Sequence, residues 1–353
     1  MTNLVISAVC NRRCAYCFTV DHPGGGEAFL PLASLAPRLD FLARSGMDRA
    51  RLIGGEPTLH PRFPQFIERI RSAGQSVTVF SNGLMPAGAL DCLAALEPKA
   101  CSVLVNVNEP EPGERGRIPA RQRETLRRLG RRATLGFNIY RTDFRPEFLL
   151  DLVAESGCSP TVRLSMAHPT LSGSNRYVHP NQYRTVARVI RRFARQATAA
   201  GVTLEFDCGF VRCMFSADDL EVLRAAGANF GWRCNPILDV DLEGNVLPCY
   251  PLAQLVSLPL TADADAASLR AEFERRLRPY RQAGVYAECS TCSFKATSQC
   301  TGGCLAATIR RFQSTPIRVR RPPAVARPSA VARPSAVARP SAAPSVGRDE
   351  VAA

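Results

Sequence analysis

The chain has 353 residues, 46% of them hydrophobic, with 14 cysteines and a formal charge of +14. It can bury a full core and has room for two domains, no apolar run reaches the length of a membrane span, and the opening "MTNLVISAV" lacks the basic start and the length of a signal peptide. A membrane protein and a small disulfide-stapled secreted domain are therefore excluded, and the expected location is the cytoplasm, where so many cysteines are better spent on metal than on disulfides. Charge alone would point to nucleic acid. Much of it, however, lies at the end of the chain, in Arg310, Arg311, Arg318, Arg320, Arg321, Arg327, Arg333, Arg339 and Arg348, so nucleic acid is not an expected partner.

Taken in chain order, strand-like apolar runs occur at Leu4–Val9, Arg49–Gly54, Ser76–Ser81, Cys101–Asn108, Thr134–Tyr140 and Thr161–Ala167. Helical patterns lie between them. Leu35, Leu39 and Leu42 share one face before Gly46, and Phe63, Phe66, Ile67 and Ile70 share another before Gly74. Such alternation predicts an α/β fold with a parallel sheet, open or closed as a barrel. Polar groups then collect at the C-terminal strand ends, where such folds build sites: a cysteine loop after the first strand, Gly54-Gly55-Glu56 after the second, Ser81-Asn82-Gly83 after the third, and Asn106 and Asn108 on the fourth.

The first strand runs into "AVCNRRCAYCF", which sets Cys10, Cys14 and Cys17 in a C-x3-C-x2-C spacing. A structural zinc site wants four closed ligands, usually in two separated pairs. Three thiolates on one loop suit an iron-sulfur cube with one iron left for a non-protein ligand, although half of a zinc site has a similar look.

With Tyr16 before the last cysteine and "GGEP" at Gly54 to Pro57 after the next strand, the sequence resembles the radical SAM superfamily over roughly residues 1–205. The resemblance implies a partial (β/α)6 barrel with a four-iron four-sulfur cluster on Cys10, Cys14 and Cys17. The cluster's open iron would chelate S-adenosylmethionine, which one electron splits to a 5′-deoxyadenosyl radical that takes hydrogen from the substrate. It also implies cofactor contacts from Tyr16 to the adenine, from Gly54 and Gly55 by close backbone approach to the methionyl group, from Glu56 to its ammonium, and from Asn82 and Asn138. An external electron donor, flavodoxin or ferredoxin, is implied as well.

A second cysteine array follows. "WRCNPILDVDLEGNVLPCY" sets Cys234 and Cys249 around Gly244 in a C-x9-G-x4-C pattern with a strand-turn-strand look, and "CSTCSFKATSQCTGGC" supplies Cys289, Cys292, Cys300 and Cys304. Together these resemble the SPASM extension, which carries one or two auxiliary four-iron four-sulfur clusters. Carried over, the first auxiliary cluster takes Cys208 or Cys213 with Cys234, Cys249 and Cys304. The second takes Cys289, Cys292 and Cys300, its fourth ligand being the remaining member of the upstream pair, or nothing, which would leave an iron to ligate substrate. Two departures from the family pattern are a longer gap between Cys292 and Cys300 and the absence of a last cysteine after Cys304. A closed zinc site in a non-catalytic scaffold is the alternative.

Domain boundaries are expected at 1–205 for the barrel, 206–312 for the extension and 313–353 for a disordered tail built on the repeated unit "AVARPS". Cys92, Cys101 and Cys158 read as apolar fillers. His22, His60, His168 and His179 read as structural hydrogen-bonders, and Arg163 and Ser165 as groups in reach of adenosine or substrate. The substrate expected is a peptide, as for a peptide maturase, with the start of the chain at the first barrel strand counting against a self-sufficient leader-binding modifier; a small molecule of natural-product biosynthesis is the alternative.

Overall fold

The computed structural model describes residues 1–21, 28–110 and 117–313. Parallel strands follow one another in space in chain order: β1 (Asn3–Ser7), β2 (Arg49–Gly54), β3 (Ser76–Ser81), β4 (Cys101–Asn106), β5 (Ala133–Ile139), β6 (Thr161–Met166) and β7 (Thr203–Phe206). Between them run α1 (Leu35–Arg44), α2 (Phe63–Ser72), α3 (Ala87–Ala94), α4 (Ala120–Leu129), α5 (Phe148–Ser156) and α6 (Tyr183–Ala199). The six expected strands are present within two residues of their expected bounds, and β7, "TLEF", is an addition. In β3, β4 and β6 alternate residues are fully and half buried, as a sheet covered by helices on one face and more open on the other requires.

The helices pay out their apolar residues at the spacing that one buried stripe demands. In α2 the buried set is Phe63, Phe66, Ile67 and Ile70, the stripe expected from sequence. In α6 it is Tyr183, Val186, Ala187, Ile190, Phe193, Ala194 and Ala197, with arginines on the other side. Gly46 and Gly74, at φ +65° and +74°, end the turns after α1 and α2 in the left-handed region that glycine enters freely.

The extension is joined to this sheet rather than hung from a linker. After α7 (Ala217–Ala225), the short strands β8 (Asp239–Val240), β9 (Asn245–Leu247) and β10 (Leu258–Pro259) add to the free side of β1, giving the order β10-β9-β8-β1-β2-β3-β4-β5-β6-β7. The β8–β9 hairpin turns at Gly244, φ +88°, where the strand-turn-strand pattern put it. Helices α8 (Ala266–Leu277), α9 (Ser293–Ala296) and α10 (Leu305–Phe312) complete the chain up to the tail. The described residues form one compact body. The expected disordered tail lies, beyond Gln313, outside the described residues. Among the described residues no helix is long and apolar enough to cross a membrane.

Two buried polar groups lock the hairpin in place. Arg38 of α1, 4% exposed, donates to the carbonyls of Ser34 (2.7 Å), Asp241 (2.7 Å) and Leu242 (3.1 Å). Asp239 accepts from Asn3 Nδ2 (2.7 Å) and from the backbone N–H of Tyr250 (2.9 Å). Burial pushes the Asp239 carboxyl up to about 6, against those two hydrogen bonds. Its folded value thus stands above the unfolded one, so the stability it contributes is fully present below the unfolded value and is lost as pH rises through 6. About 3 kcal/mol is expected to go between pH 4 and 7. Urea unfolding followed by Trp232 fluorescence should reveal that slope in the wild type and its absence in Asp239→Asn.

Candidate active site and cysteine clusters

The loop between β1 and its neighbours carries Cys10, exposed, and Cys14 and Cys17, half buried. Its path is fixed from below by the glycine pair that ends β2. Gly55 N donates to Ser7 O and Glu56 N to Val9 O, both at 2.8 Å. A Cβ on Gly54 would lie 2.2 Å from Ser7 O, and one on Gly55 2.5 Å from Val9 O. The space that a side chain would fill at the two glycines is taken by the backbone of the cysteine loop. Because the obstructing atoms are backbone, they cannot swing aside. Gly54→Ala or Gly55→Ala is expected to cost about 2–3 kcal/mol and to cut the iron bound at the first array, read by thermal denaturation and iron-to-protein ratio.

Glu56 is fully buried. Its Oε1 accepts from Thr58 N (3.2 Å), Thr58 Oγ1 (2.6 Å) and Ser81 Oγ (2.9 Å), and its Oε2 from Asn82 N (2.7 Å). Burial raises its carboxyl while these hydrogen bonds pull the other way. The carboxylate ties the end of β3 to the turn after β2; an ammonium group would have to share Oε2 with the Asn82 N–H.

Above this base, side-chain amides point at the thiols. Asn82 Nδ2 lies 3.8 Å from Cys10 Sγ and 2.8 Å from Asn11 Oδ1, and Asn108 Nδ2 lies 3.9 Å from Cys14 Sγ. The N–H of Arg12 donates to Cys10 Sγ at 3.4 Å, and Cys17 Sγ meets Thr19 Oγ1 at 3.0 Å. Burial raises the Cys10 thiol, the Arg12 N–H lowers it, and Glu56, Cys14 and Cys17 raise it further, so the three sulfurs sense one another. Tyr16 donates to Asn108 Oδ1 (2.7 Å) with its ring 5.1 Å from that of Tyr140, and Asn138 Nδ2 reaches Asn106 Oδ1 at 3.4 Å. Burial, then the Cys14 thiolate, push the Tyr16 phenol far up. Cys10, Cys14, Cys17, Tyr16, Asn82, Asn108 and Asn138 thus gather at the C-terminal strand edge, with Gly54, Gly55 and Glu56 as their footing. Of these, Asn108 was singled out by position alone, and its amide now faces a thiol. Arg163 and Ser165 instead turn to Asp207, at 2.7 and 3.4 Å, which leaves Arg163 paired.

The second array separates into two sets. The Cys249 thiol is raised first by burial and then by Cys234, Cys304 and Cys208 beside it, with Asp239 also contributing. Cys213 is raised by burial and then by Cys289, Cys300 and Cys292. One set therefore comprises Cys208, Cys234, Cys249 and Cys304, and the other Cys213, Cys289, Cys292 and Cys300. Tight glycine turns bring them together: Gly303, φ +89°, has no room for a Cβ between Val211 and Val285, and a Cβ on Gly284 would lie 2.6 Å from Cys289 Sγ. Cys101 and Cys158 are buried and Cys92 half buried, away from all three sets, as expected of fillers.

The histidines divide. His60 bridges Leu30 O (2.9 Å) and Arg62 N (3.0 Å), and His179 faces Asn181, both structural as expected; His22 lies outside the described residues. His168, read as a strand-end hydrogen-bonder, finds a thiol, its Nε2 lying 3.2 Å from Cys208 Sγ. Burial works to lower its basicity, yet the Cys304 and Cys208 thiolates outweigh that and raise it.

Among the described residues no three His, Cys, Asp or Glu side chains converge on the position of a single ion. A cube places no such demand, since each thiolate takes its own iron, and three thiols on one loop with N–H donors aimed at the sulfurs are the donor set that such a cluster uses. The residues of the first array therefore fit a four-iron four-sulfur cluster and its S-adenosylmethionine.

Comparison with known proteins agrees. Residues 4–136 match the Radical SAM superfamily. The GTP 3′,8-cyclase of Chlorobaculum tepidum is 29% identical over 92 residues, 26% of this chain and 28% of the relative, and the 7-carboxy-7-deazaguanine synthase of Rhodopirellula baltica is 33% identical over 99 residues, 26% of this chain and 34% of the relative. The chain thus spans only about a third of the length of these curated relatives. Among solved structures, Streptococcus suis SuiB bound to S-adenosylmethionine matches with a TM-score of 0.64 at 14% identity, over 86% of this chain and 73% of that one. The enzyme anSMEcpe with bound AdoMet and the Kp18Cys peptide matches with a TM-score of 0.59 at 15% identity, over 86% and 88%. Residues 4–136, with the three-thiol loop inside them, are thus a segment that matches the radical SAM superfamily, on a fold shared with these solved structures.

Proposed function

We propose that the chain is a peptide-modifying radical SAM enzyme with three four-iron four-sulfur clusters: one on Cys10, Cys14 and Cys17, one on Cys208, Cys234, Cys249 and Cys304, and one on Cys213, Cys289, Cys292 and Cys300. The observation that carries this reading is the sorting of eight extension cysteines into two sets of four, in a chain whose likeness in fold to SuiB and anSMEcpe covers 86% of its length. With Cys213 as the fourth ligand, the last set has no iron left to ligate substrate.

When bound, the first cluster and S-adenosylmethionine supply a 5′-deoxyadenosyl radical that removes hydrogen from carbon. The chain's own residues hold, orient and exclude. Gly54 and Gly55 set the path of the cysteine loop, and Glu56 braces it. The amides of Asn82 and Asn108 donate toward the Cys10 and Cys14 sulfurs, which stabilises their negative charge. Tyr16 and Asn138 would hold the adenosyl group. A one-electron protein donor, flavodoxin or ferredoxin, and the reducing cytoplasm complete the requirements.

Anaerobically reconstituted protein, reductant and S-adenosylmethionine should release 5′-deoxyadenosine, and deuterium from a perdeuterated peptide library should appear in it. A second reading, a small-molecule substrate, draws on relatives named GTP 3′,8-cyclase. Transfer from deuterated GTP and none from peptides would establish that reading instead. Zinc without iron would sink both in favour of a scaffold.

A further inference from the structure

We infer that His168 is a positioning residue that sets the reduction potential of the cluster on Cys208, Cys234, Cys249 and Cys304 through N–H···S hydrogen bonding; this rests on the proposed reading of that set as a cluster site. The ring sits just past β6, with its Nε2 3.2 Å from Cys208 Sγ. Its seat is shaped for it. Gly209, immediately after Cys208, has φ +101°, and a Cβ there would lie 2.7 Å from His168 Cε1, so a side chain at 209 would push the imidazole off the sulfur.

The same loop is bonded to the first array. Asn175, 6% exposed, donates from Nδ2 to His168 O (2.8 Å) and to Tyr16 O (3.0 Å), while its Oδ1 accepts from Thr170 N (2.9 Å). Arg176 N donates to Ala15 O (2.7 Å). Ala15 and Tyr16 lie between Cys14 and Cys17. One short segment therefore holds the backbone of the first cysteine loop at one end and presents an imidazole to an auxiliary thiol at the other. A plain core-filling histidine accounts for the burial but not for a sulfur contact that a left-handed glycine keeps clear.

Reduction adds negative charge to a cluster, and part of it resides on the thiolate sulfurs. An N–H donor aimed at such a sulfur stabilises the reduced form and raises the potential, so removing the donor lowers it. A hydrogen bond to a charged group is strong enough to change the reduction equilibrium about tenfold, which for one electron is about 59 mV.

The test uses the full chain with Cys10, Cys14 and Cys17 all changed to Ala, so that the auxiliary clusters are observed alone. Iron and sulfide analysis with Mössbauer spectroscopy first counts them. Redox titration followed by electron paramagnetic resonance then compares His168, His168→Phe, His168→Gln and Gly209→Ala. One of the two auxiliary midpoints is expected to fall about tenfold in equilibrium constant in His168→Phe and in the same direction in Gly209→Ala, with the amide donor of His168→Gln recovering part of the shift and the other midpoint unmoved. Unchanged midpoints at full iron content, or equal shifts in both, overturn the inference. Should His168→Phe fail to hold iron, unchanged midpoints in the other two variants overturn it equally. A parent chain without auxiliary iron overturns the underlying reading as well, and the iron count makes that failure distinct.

Discussion

Cys14→Ala is expected to lower the iron content from about twelve to about eight per chain and to bring 5′-deoxyadenosine formation below detection. The first array has only three thiols, on one loop, and two cannot hold a cube that must also keep one iron for S-adenosylmethionine. Among the described residues, the polar groups facing Cys14 are the amide of Asn108, at 3.9 Å, and the phenol of Tyr16, itself committed to Asn108. The auxiliary iron should stay, because its ligands come from the segments around Cys208 and beyond Cys234, and their sets are held by their own glycine turns. Cys158→Ala is the matched control: that thiol is buried in the hydrophobic core, so its loss should leave both iron and product unchanged. Iron assay and chromatography of the reaction mixture read the pair. Full activity in Cys14→Ala would remove the basis for placing the radical chemistry at this loop.

Strand and helix order was legible in the sequence because each element carries its own period. The stripe of α2 appeared residue for residue, and the Gly244 turn announced β8 and β9. The strand β7 escaped because "TLEF" is four residues long with a charge at Glu205, too short for alternation to register. The cysteine loop was legible from spacing. What the two glycines after β2 are for was not: a glycine pattern says that backbone comes close, without saying whose, and here it is that of Ser7 and Val9. Contacts between distant segments have no linear signature at all. Arg38 finds the β8–β9 turn across 203 residues and His168 finds Cys208 across 40. A glycine directly following a candidate ligand, as at Gly209, was the one local signal that something close-packed lies against that cysteine.

The division of the extension cysteines into two sets predicts how double replacements combine. If Cys213 belongs with Cys289, Cys292 and Cys300, then Cys213→Ala with Cys292→Ala strips two ligands from one cluster and should leave about eight irons per chain. Replacing one thiol from each set, Cys213→Ala with Cys249→Ala, leaves three thiolates to each cluster and should retain more iron, near twelve per chain. Single replacements are less telling, because the first array itself illustrates that three thiolates suffice for a cube. The physical basis is placement: the thiols that raise Cys213 are Cys289, Cys300 and Cys292, whereas those that raise Cys249 are Cys234, Cys304 and Cys208. Since neither pair touches Cys10, Cys14 or Cys17, cleavage of S-adenosylmethionine should persist in both variants while substrate turnover stops, which separates holding the radical source from guiding what it attacks. If Cys213→Ala with Cys249→Ala instead loses more iron than Cys213→Ala with Cys292→Ala, Cys213 and Cys208 have exchanged places between the two sets.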